Sequence, residues 1–384
     1  MKITSIEACI VALPARRPHP MAFGGASLGR YVIVRVQTDE GIEGVGEATV
    51  LLQWGGDHGR HGGESPATAV HIAQDVLGPA LAGSDPFAIE RAHETMDRAA
   101  KGHAYAKSAV DSALHDIKGK ALGVPVYELL GGLARPRVKI AHSLGILDLD
   151  TMRHEAAEAV AAGIGVIKVK IGLDVERDVE AVRTVREVVG DGVELLVDAN
   201  QGYATPKIAI NALRRIEEYR IRYAEQPVEG LEAMARVAAA VDIPIMADES
   251  AWNANDILDI VRLRAADVVS IYTTMPGGLA PATTAAAVAE AGGLPCNVNG
   301  SAETGVGNAA NLHLAGSTAC ISEACLIPIT TLAGREQTKI AGVFYTDDLI
   351  TEPFPYADGY LTVPDGPGLG IELDEEKVAR YRVA

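Results

Sequence analysis

One pattern recurs along most of this chain: a short apolar run rich in β-branched residues, then a longer stretch of helical period. The apolar runs are 138–143, 166–171, 194–199, 221–225, 243–248, 268–272, 294–298 and 321–326. They return about every 25 residues, the spacing of strand–helix units. Segments such as 174–189 and 281–291 carry the helical pattern between them. Eight evenly spaced strands of this kind predict a β/α barrel. A doubly wound open sheet is the competing architecture, and even spacing suits closure better. After Leu326 the pattern is mixed, and 359–371 reads as a hairpin that returns elsewhere.

The first 125 residues follow other rules. Residues 3–13, 31–37 and 42–45 read as strands, with Asp39-Glu40-Gly41 as a turn. Gly-rich loops occupy 14–29 and 53–65. Helical periodicity runs from 66 to 122 and stops at Gly123-Val124-Pro125. Strands followed by helices indicate an α+β domain. The expected division is therefore an α+β domain over 1–125 and a barrel over 126–350, with about 350–384 returning to the first domain. At 384 residues the chain has room for both.

Charge narrows the partners. With 34 Lys+Arg against 51 Asp+Glu, the net charge of −17 repels nucleic-acid phosphates and anionic membranes. An anionic substrate stays open, because a bound cation reverses the sign locally. No apolar run reaches about 18 residues, so no membrane span is expected. The opening segment is broken by Glu7, which argues against a signal peptide. Cys9, Cys296, Cys320 and Cys325 form no C-x-x-C pair and read as buried thiols of a reducing, cytoplasmic compartment.

In a barrel the active site lies at the C-terminal strand ends. Three successive strands end in a carboxylate, Asp198, Glu225 and Asp248, separated by 27 and 23 residues. Neighbouring strands lie about 4.8 Å apart, so these groups converge on one rim. Such anions repel unless a cation lies between them, and hard oxygen donors suit Mg²⁺. Capping the next helix explains any one of them alone, but not three in a row. Lys168 and Lys170 are two apart on a strand, share a face about 6.6 Å apart and point into the barrel. Beside a cation and each other, a lysine is expected to have a lowered pKa suited to a general base.

The set Lys168-Val-Lys170, Asp198-Ala-Asn200, Glu225-Gln-Pro227 and Asp248-Glu249-Ser250 resembles the enolase superfamily, in particular its muconate lactonizing enzyme subgroup within the mandelate racemase/muconate lactonizing enzyme family. The segment from Asp111 to Gly132 is similar to that family's cap–barrel junction, and Gly41-Ile-Glu-Gly-Val-Gly-Glu47 to its cap strand. The resemblance covers essentially the whole chain. It implies a modified barrel of (β/α)₇β type under an N-terminal α+β cap, and one Mg²⁺ per subunit. It also implies a small-molecule carboxylate substrate and proton abstraction α to that carboxylate through a metal-stabilised enediolate. A homo-oligomer, often an octamer, is implied as well. The implied site residues are Lys170 as acid/base, Lys168 beside it, and Asp198, Glu225 and Asp248 on the metal. Asn200 and Glu249 support them, and Met21, Phe23 and Trp54 line the substrate pocket.

One position departs from the subgroup, which usually carries a second acid/base lysine at the end of the sixth strand. Here Tyr272 stands there, ahead of Gly277-Gly278. A phenol with a pKa of about 10 is a poor base but a usable acid or hydrogen-bond donor. Racemisation with two bases needs carriers on opposite faces, so one-sided chemistry through Lys170 is favoured: cycloisomerisation or syn β-elimination. A racemase or epimerase, or a binding barrel that has lost catalysis, are the alternatives. Tyr272 either takes part directly or packs against the substrate. Glu323, at the eighth strand, is read as reaching the pocket or as a cap. Asp57, His58, His61 and Glu64 have ligand chemistry, but they share one loop and lack the four fixed positions of a zinc site.

Overall fold

The computed structural model describes residues 1–25 and 28–383. Its N-terminal sheet is an antiparallel meander of Ile3–Ala12, Arg30–Thr38 and Glu43–Ala48. The helix Ala104–Leu122 lies across it. Gly44 and Gly46 make that contact possible: a Cβ at either would stand 2.0 Å from a helix carbonyl, Ala113 O or Ala109 O. The glycines of the Gly41–Glu47 motif therefore serve backbone-to-backbone packing. The helix ends where the sequence predicts, at Gly123 in the left-handed region (φ 70°) with its N–H on the Gly119 and Lys120 carbonyls.

Seven parallel strands follow in sequential order: His142–Leu144, Val166–Lys170, Glu194–Asp198, Ile221–Glu225, Ile245–Ala247, Val268–Ile271 and Cys296–Val298. The eighth apolar run is irregular yet bonds to both sheet edges. Glu323 N donates to Cys296 O at 3.0 Å, and Leu326 N to Val298 O at 3.0 Å. On the other side Cys325 N donates to Lys139 O at 2.8 Å and Ala141 N to Cys325 O at 3.0 Å, which closes the ring. Helices follow each of the first seven strands, from Leu149–Ala161 to Gly305–Ser317. After the eighth run the chain is irregular to about 355, giving the (β/α)₇β form.

Alternation within the strands sorts their side chains. Ala141, Val166, Leu196, Tyr223, Met246, Val268, Ala324 and Leu326 pack together in the barrel interior. Ile167, Val169, Leu195 and Val197 join the core beneath the helices. Lys168 and Lys170 are in phase with Val166 and so point inward above that plug.

The C-terminal segment divides. The hairpin Tyr356–Ala357 and Tyr360–Thr362 extends the strand Arg137–Lys139 at the N-terminal end of the barrel, not the cap sheet. The cap is reached by Gly368 N and Leu369 N, which donate to Val124 O and Asp116 Oδ1 at 2.9 Å each, by the last helix, Glu375–Tyr381, whose Glu375 pairs with Arg35 at 2.8 Å, and by Val383 N, which donates to Ile10 O at 2.9 Å. The cap is also pinned at the barrel mouth. Buried Glu47 accepts from Thr304 N at 3.1 Å and Gly307 N at 2.9 Å, at the start of the helix Gly305–Ser317. That carboxylate satisfies N–H groups that helix geometry leaves without partners. No described helix is long and apolar enough to cross a membrane.

Candidate active site

The rim carries a dense ionic group. Lys168 Nζ donates to Glu225 Oε1 at 2.6 Å and lies 2.9 Å from Asp198 Oδ2. Lys170 Nζ donates to Asp198 Oδ2 at 2.5 Å and to Asn200 Oδ1 at 2.7 Å. Asp248 accepts from the Tyr272 hydroxyl at 3.2 Å. Asn299 Nδ2 donates to Glu225 Oε1 at 3.0 Å and to Asp248 Oδ1 at 3.3 Å. All of these groups are buried.

Charge balance explains how they titrate. Burial alone would raise Asp198, but the two ammonium groups hold it well below the ordinary carboxylate range. Glu225 is pushed well above that range by burial and by Asp198, and Asp248 is raised chiefly by burial. Lys168 sits between opposing effects. Burial would lower its pKa, but Asp198 and Glu225 together outweigh burial and raise it, so its ammonium stays charged.

The rim turns are strained. Asn200 (φ 42°), Gln201 (φ 61°) and Gln226 (φ 37°) are non-glycine residues in left-handed backbone directly after the third and fourth strands. Each such residue costs about 1–3 kcal/mol and persists where its surroundings fix it. Here Gln226 Nε2 donates to Ser250 Oγ at 2.7 Å, and Gln226 Oε1 accepts from Asp248 N at 2.9 Å.

Two cap loops roof the rim. Trp54 Nε1 donates to Glu249 Oε1 at 3.1 Å, an oxygen that also accepts from Asn200 Nδ2 at 3.0 Å. The Trp54 ring lies 5.3 Å from that of Tyr272. Buried Asp57 fixes the same loop to the barrel, accepting from Ser250 Oγ at 2.7 Å, Gly230 N at 2.9 Å and Gln201 Nε2 at 3.1 Å. His61 stacks on Trp252 at 5.0 Å, and Glu64 accepts from Tyr105 N at 3.1 Å, so these loop residues face different neighbours. Met21 and Phe23, on the other loop, face the same cavity. It holds about 550 Å³ with its open mouth included.

The structure thus brings together Lys168, Lys170, Asp198, Glu225, Asp248, Asn200, Tyr272, Trp54, Met21 and Phe23 around one cavity, with Glu249 behind Asn200. Glu323 is a correction. It sits near the N-terminal end of the barrel, where Arg222 at the start of the fourth strand pairs with it at 2.7 Å. The irregular eighth run places it at the foot of its segment, while Leu326, three residues later, reaches the cavity. Asn299 was missed by the sequence reading, although it ends the seventh strand and the strand-end rule applies to it. Phe344 had no signal, because it comes from the irregular segment.

Among the described residues no three Asp, Glu, His or Cys side chains form a ready ligand cluster; lysine ammonium groups stand between the carboxylates. The donor set nevertheless suits a hard dication. Asp198, Glu225, Asp248 and Glu249 bring four carboxylates against two ammonium groups, and Glu225 Oε2 is buried without a partner.

Comparison with known proteins gives a consistent result. Residues 5–131 match the family model "Mandelate racemase / muconate lactonizing enzyme, N-terminal domain", and residues 151–377 match "Enolase C-terminal domain-like". The N-succinyl-L-Arg/Lys racemase of Bacillus cereus is 35% identical, covering 100% of this chain and 98% of the relative. Its crystal structure superposes with a TM-score of 0.91 at 33% identity, covering 100% of this chain and 99% of that one. Muconate cycloisomerase 1-1 of Acinetobacter lwoffii is 34% identical over 99% of this chain and 96% of its own. A dipeptide epimerase from Enterococcus faecalis, solved with Mg and a dipeptide, superposes with a TM-score of 0.86 at 30% identity, covering 97% of this chain and 100% of that one. The chain is therefore an enzyme of the mandelate racemase/muconate lactonizing enzyme family, within the enolase superfamily.

Proposed function

We propose that this enzyme moves a proton at the carbon α to a small substrate's carboxylate, on one face only, through Lys170, in a cycloisomerisation or a syn β-elimination. Asp198, Glu225 and Asp248 are the residues that would hold Mg²⁺. When bound there, the dication would take the substrate carboxylate and offset the negative charge that builds as the α-proton leaves. Lys168 keeps its ammonium charged between Glu225 and Asp198 and so offers a fixed positive charge to the same carboxylate. Lys170, bonded to Asp198 and Asn200, is the group that accepts or delivers the proton. Trp54 and the Asp57 strut keep the roof in place and exclude water.

The observation that carries the one-sided reading is Tyr272. It follows the sixth strand, four strands round the ring from Lys170 and so on the opposite wall. Its hydroxyl donates to Asp248, and burial together with that carboxylate holds its pKa well above the usual phenol value. A phenol kept neutral in this way does not take a proton from carbon.

Relatives named racemase and epimerase favour a second reading, inversion at the α-carbon with Tyr272 as the opposing acid. Incubating candidate acids with enzyme and Mg²⁺ in D₂O separates the two. Ring closure or loss of water, with deuterium on one face, supports the proposal; inversion with deuterium incorporation supports the second reading.

A further inference from the structure

We infer that the substrate is a monocarboxylate whose far end is apolar, a hydrocarbon chain or ring, and that the site discriminates against acids carrying a second carboxylate or a cation there. The inference rests on the preceding reading that the substrate's carboxylate lies at the ring of Asp198, Glu225 and Asp248, and of the two reactions proposed it fits the syn β-elimination, because ring closure needs a nucleophile that an apolar far end lacks.

The cavity has two chemically distinct halves. Every ionic group that lines it stands on the barrel rim, on the second to fifth strands. The opposite walls are Met21 and Phe23 from one loop, Leu51 and Trp54 from the other, and Leu326 and Phe344 from the segment after the seventh helix. The sequence of both loops is neutral where they meet the cavity: no residue from Met21 to Gly29, or from Val50 to Gly56, carries a charge.

The titratable groups nearest this half are already engaged. His19 borders it, with Nε2 3.3 Å from Ser143 Oγ and Nδ1 3.5 Å from Arg17 Nη1. Burial keeps its ring neutral, with Lys170 and Arg17 adding to the effect. Arg17 in turn grips Glu155 through Nε and Nη2, both at 2.5 Å, and Arg16 reaches the same carboxylate at 3.2 Å. A second substrate carboxylate would find no free guanidinium among the described lining residues, and a substrate ammonium would find no free carboxylate at that end. An ion placed against six apolar walls loses its hydration without replacement, whereas a hydrocarbon group gains by leaving water.

The test uses the full-length enzyme with saturating Mg²⁺ and three acids of equal length: hexanoate, adipate and 6-aminohexanoate, titrated calorimetrically. Hexanoate should bind roughly tenfold or more tightly than either of the others. Phe23→Arg, with its fold checked by circular dichroism and thermal melting, should bring adipate at least level with hexanoate. Adipate or 6-aminohexanoate binding wild type as tightly as hexanoate would overturn the inference while leaving the metal-rim reading standing. So would an unchanged preference in Phe23→Arg. If none of the three binds in a Mg²⁺-dependent way, the rim reading itself falls, and this inference with it.

Discussion

Trp54, in a cap loop, and Lys170, on the second barrel strand, are joined by three hydrogen bonds: Trp54 Nε1 to Glu249 Oε1 at 3.1 Å, Asn200 Nδ2 to the same oxygen at 3.0 Å, and Lys170 Nζ to Asn200 Oδ1 at 2.7 Å. The roof of the cavity and the proposed proton carrier therefore share one line of polar contacts. Asn200 keeps its side chain on that line from a left-handed backbone, so its orientation depends on its partners.

Trp54→Phe should separate the two functions of this residue. The ring contact with Tyr272 survives, but Glu249, which Asn200 still bonds, loses a donor and its tie to the roof. On a turned-over substrate, kcat should fall by roughly tenfold, the weight of one charge-assisted hydrogen bond, with KM little changed. Steady-state kinetics checks it; a rise in KM at constant kcat would show that Trp54 only binds.

Asp198→Asn should weaken Mg²⁺ binding by roughly tenfold or more, since even outer-sphere partners of a metal are worth that much. The amide keeps the shape and removes a charge that both lysines contact. Calorimetric titration with Mg²⁺ alone reads the effect, and wild-type affinity in the variant would remove Asp198 from the metal site.

The part of the stability owed to Glu303 and Asp348 should decline as pH rises from about 4 to about 8. Burial pushes Glu303 from 4.5 up to about 8, with Glu47 adding to the rise, and burial likewise takes Asp348 from 3.8 up to about 7. Both pKa values are higher in the folded chain than in the unfolded one, so the folded chain binds more protons. This contribution is fully present below the unfolded values and is lost as pH rises through the folded ones, at no more than about 1.4 kcal/mol per group per pH unit. Thermal melts across that range should show a shallower decline for Glu303→Gln. Parallel curves would mean that Glu303 does not titrate there.

The barrel and its rim were legible because they rest on local rules. Period-two alternation alone puts Lys168 and Lys170 on the interior face, and strand ends alone mark Asp198, Glu225 and Asp248. What the sequence left open depends on long-range registry. Glu323 follows an apolar run like the others, but its run is irregular and enters the ring at the foot, where Arg222 meets its carboxylate. Phe344 arrives from a segment without period, and the Trp54–Glu249 bond spans 195 residues between two domains.

The central claim is that Lys170 alone carries the proton. The measurement is α-proton exchange in D₂O with Mg²⁺, on the substrate that the screen identifies, for wild type, Lys170→Met and Tyr272→Phe. Exchange should fall by roughly 10²–10⁴-fold in Lys170→Met while ligand binding largely survives, and much less in Tyr272→Phe. Wild-type exchange in Lys170→Met, together with its loss in Tyr272→Phe, would contradict the account and move the proton to the opposite wall.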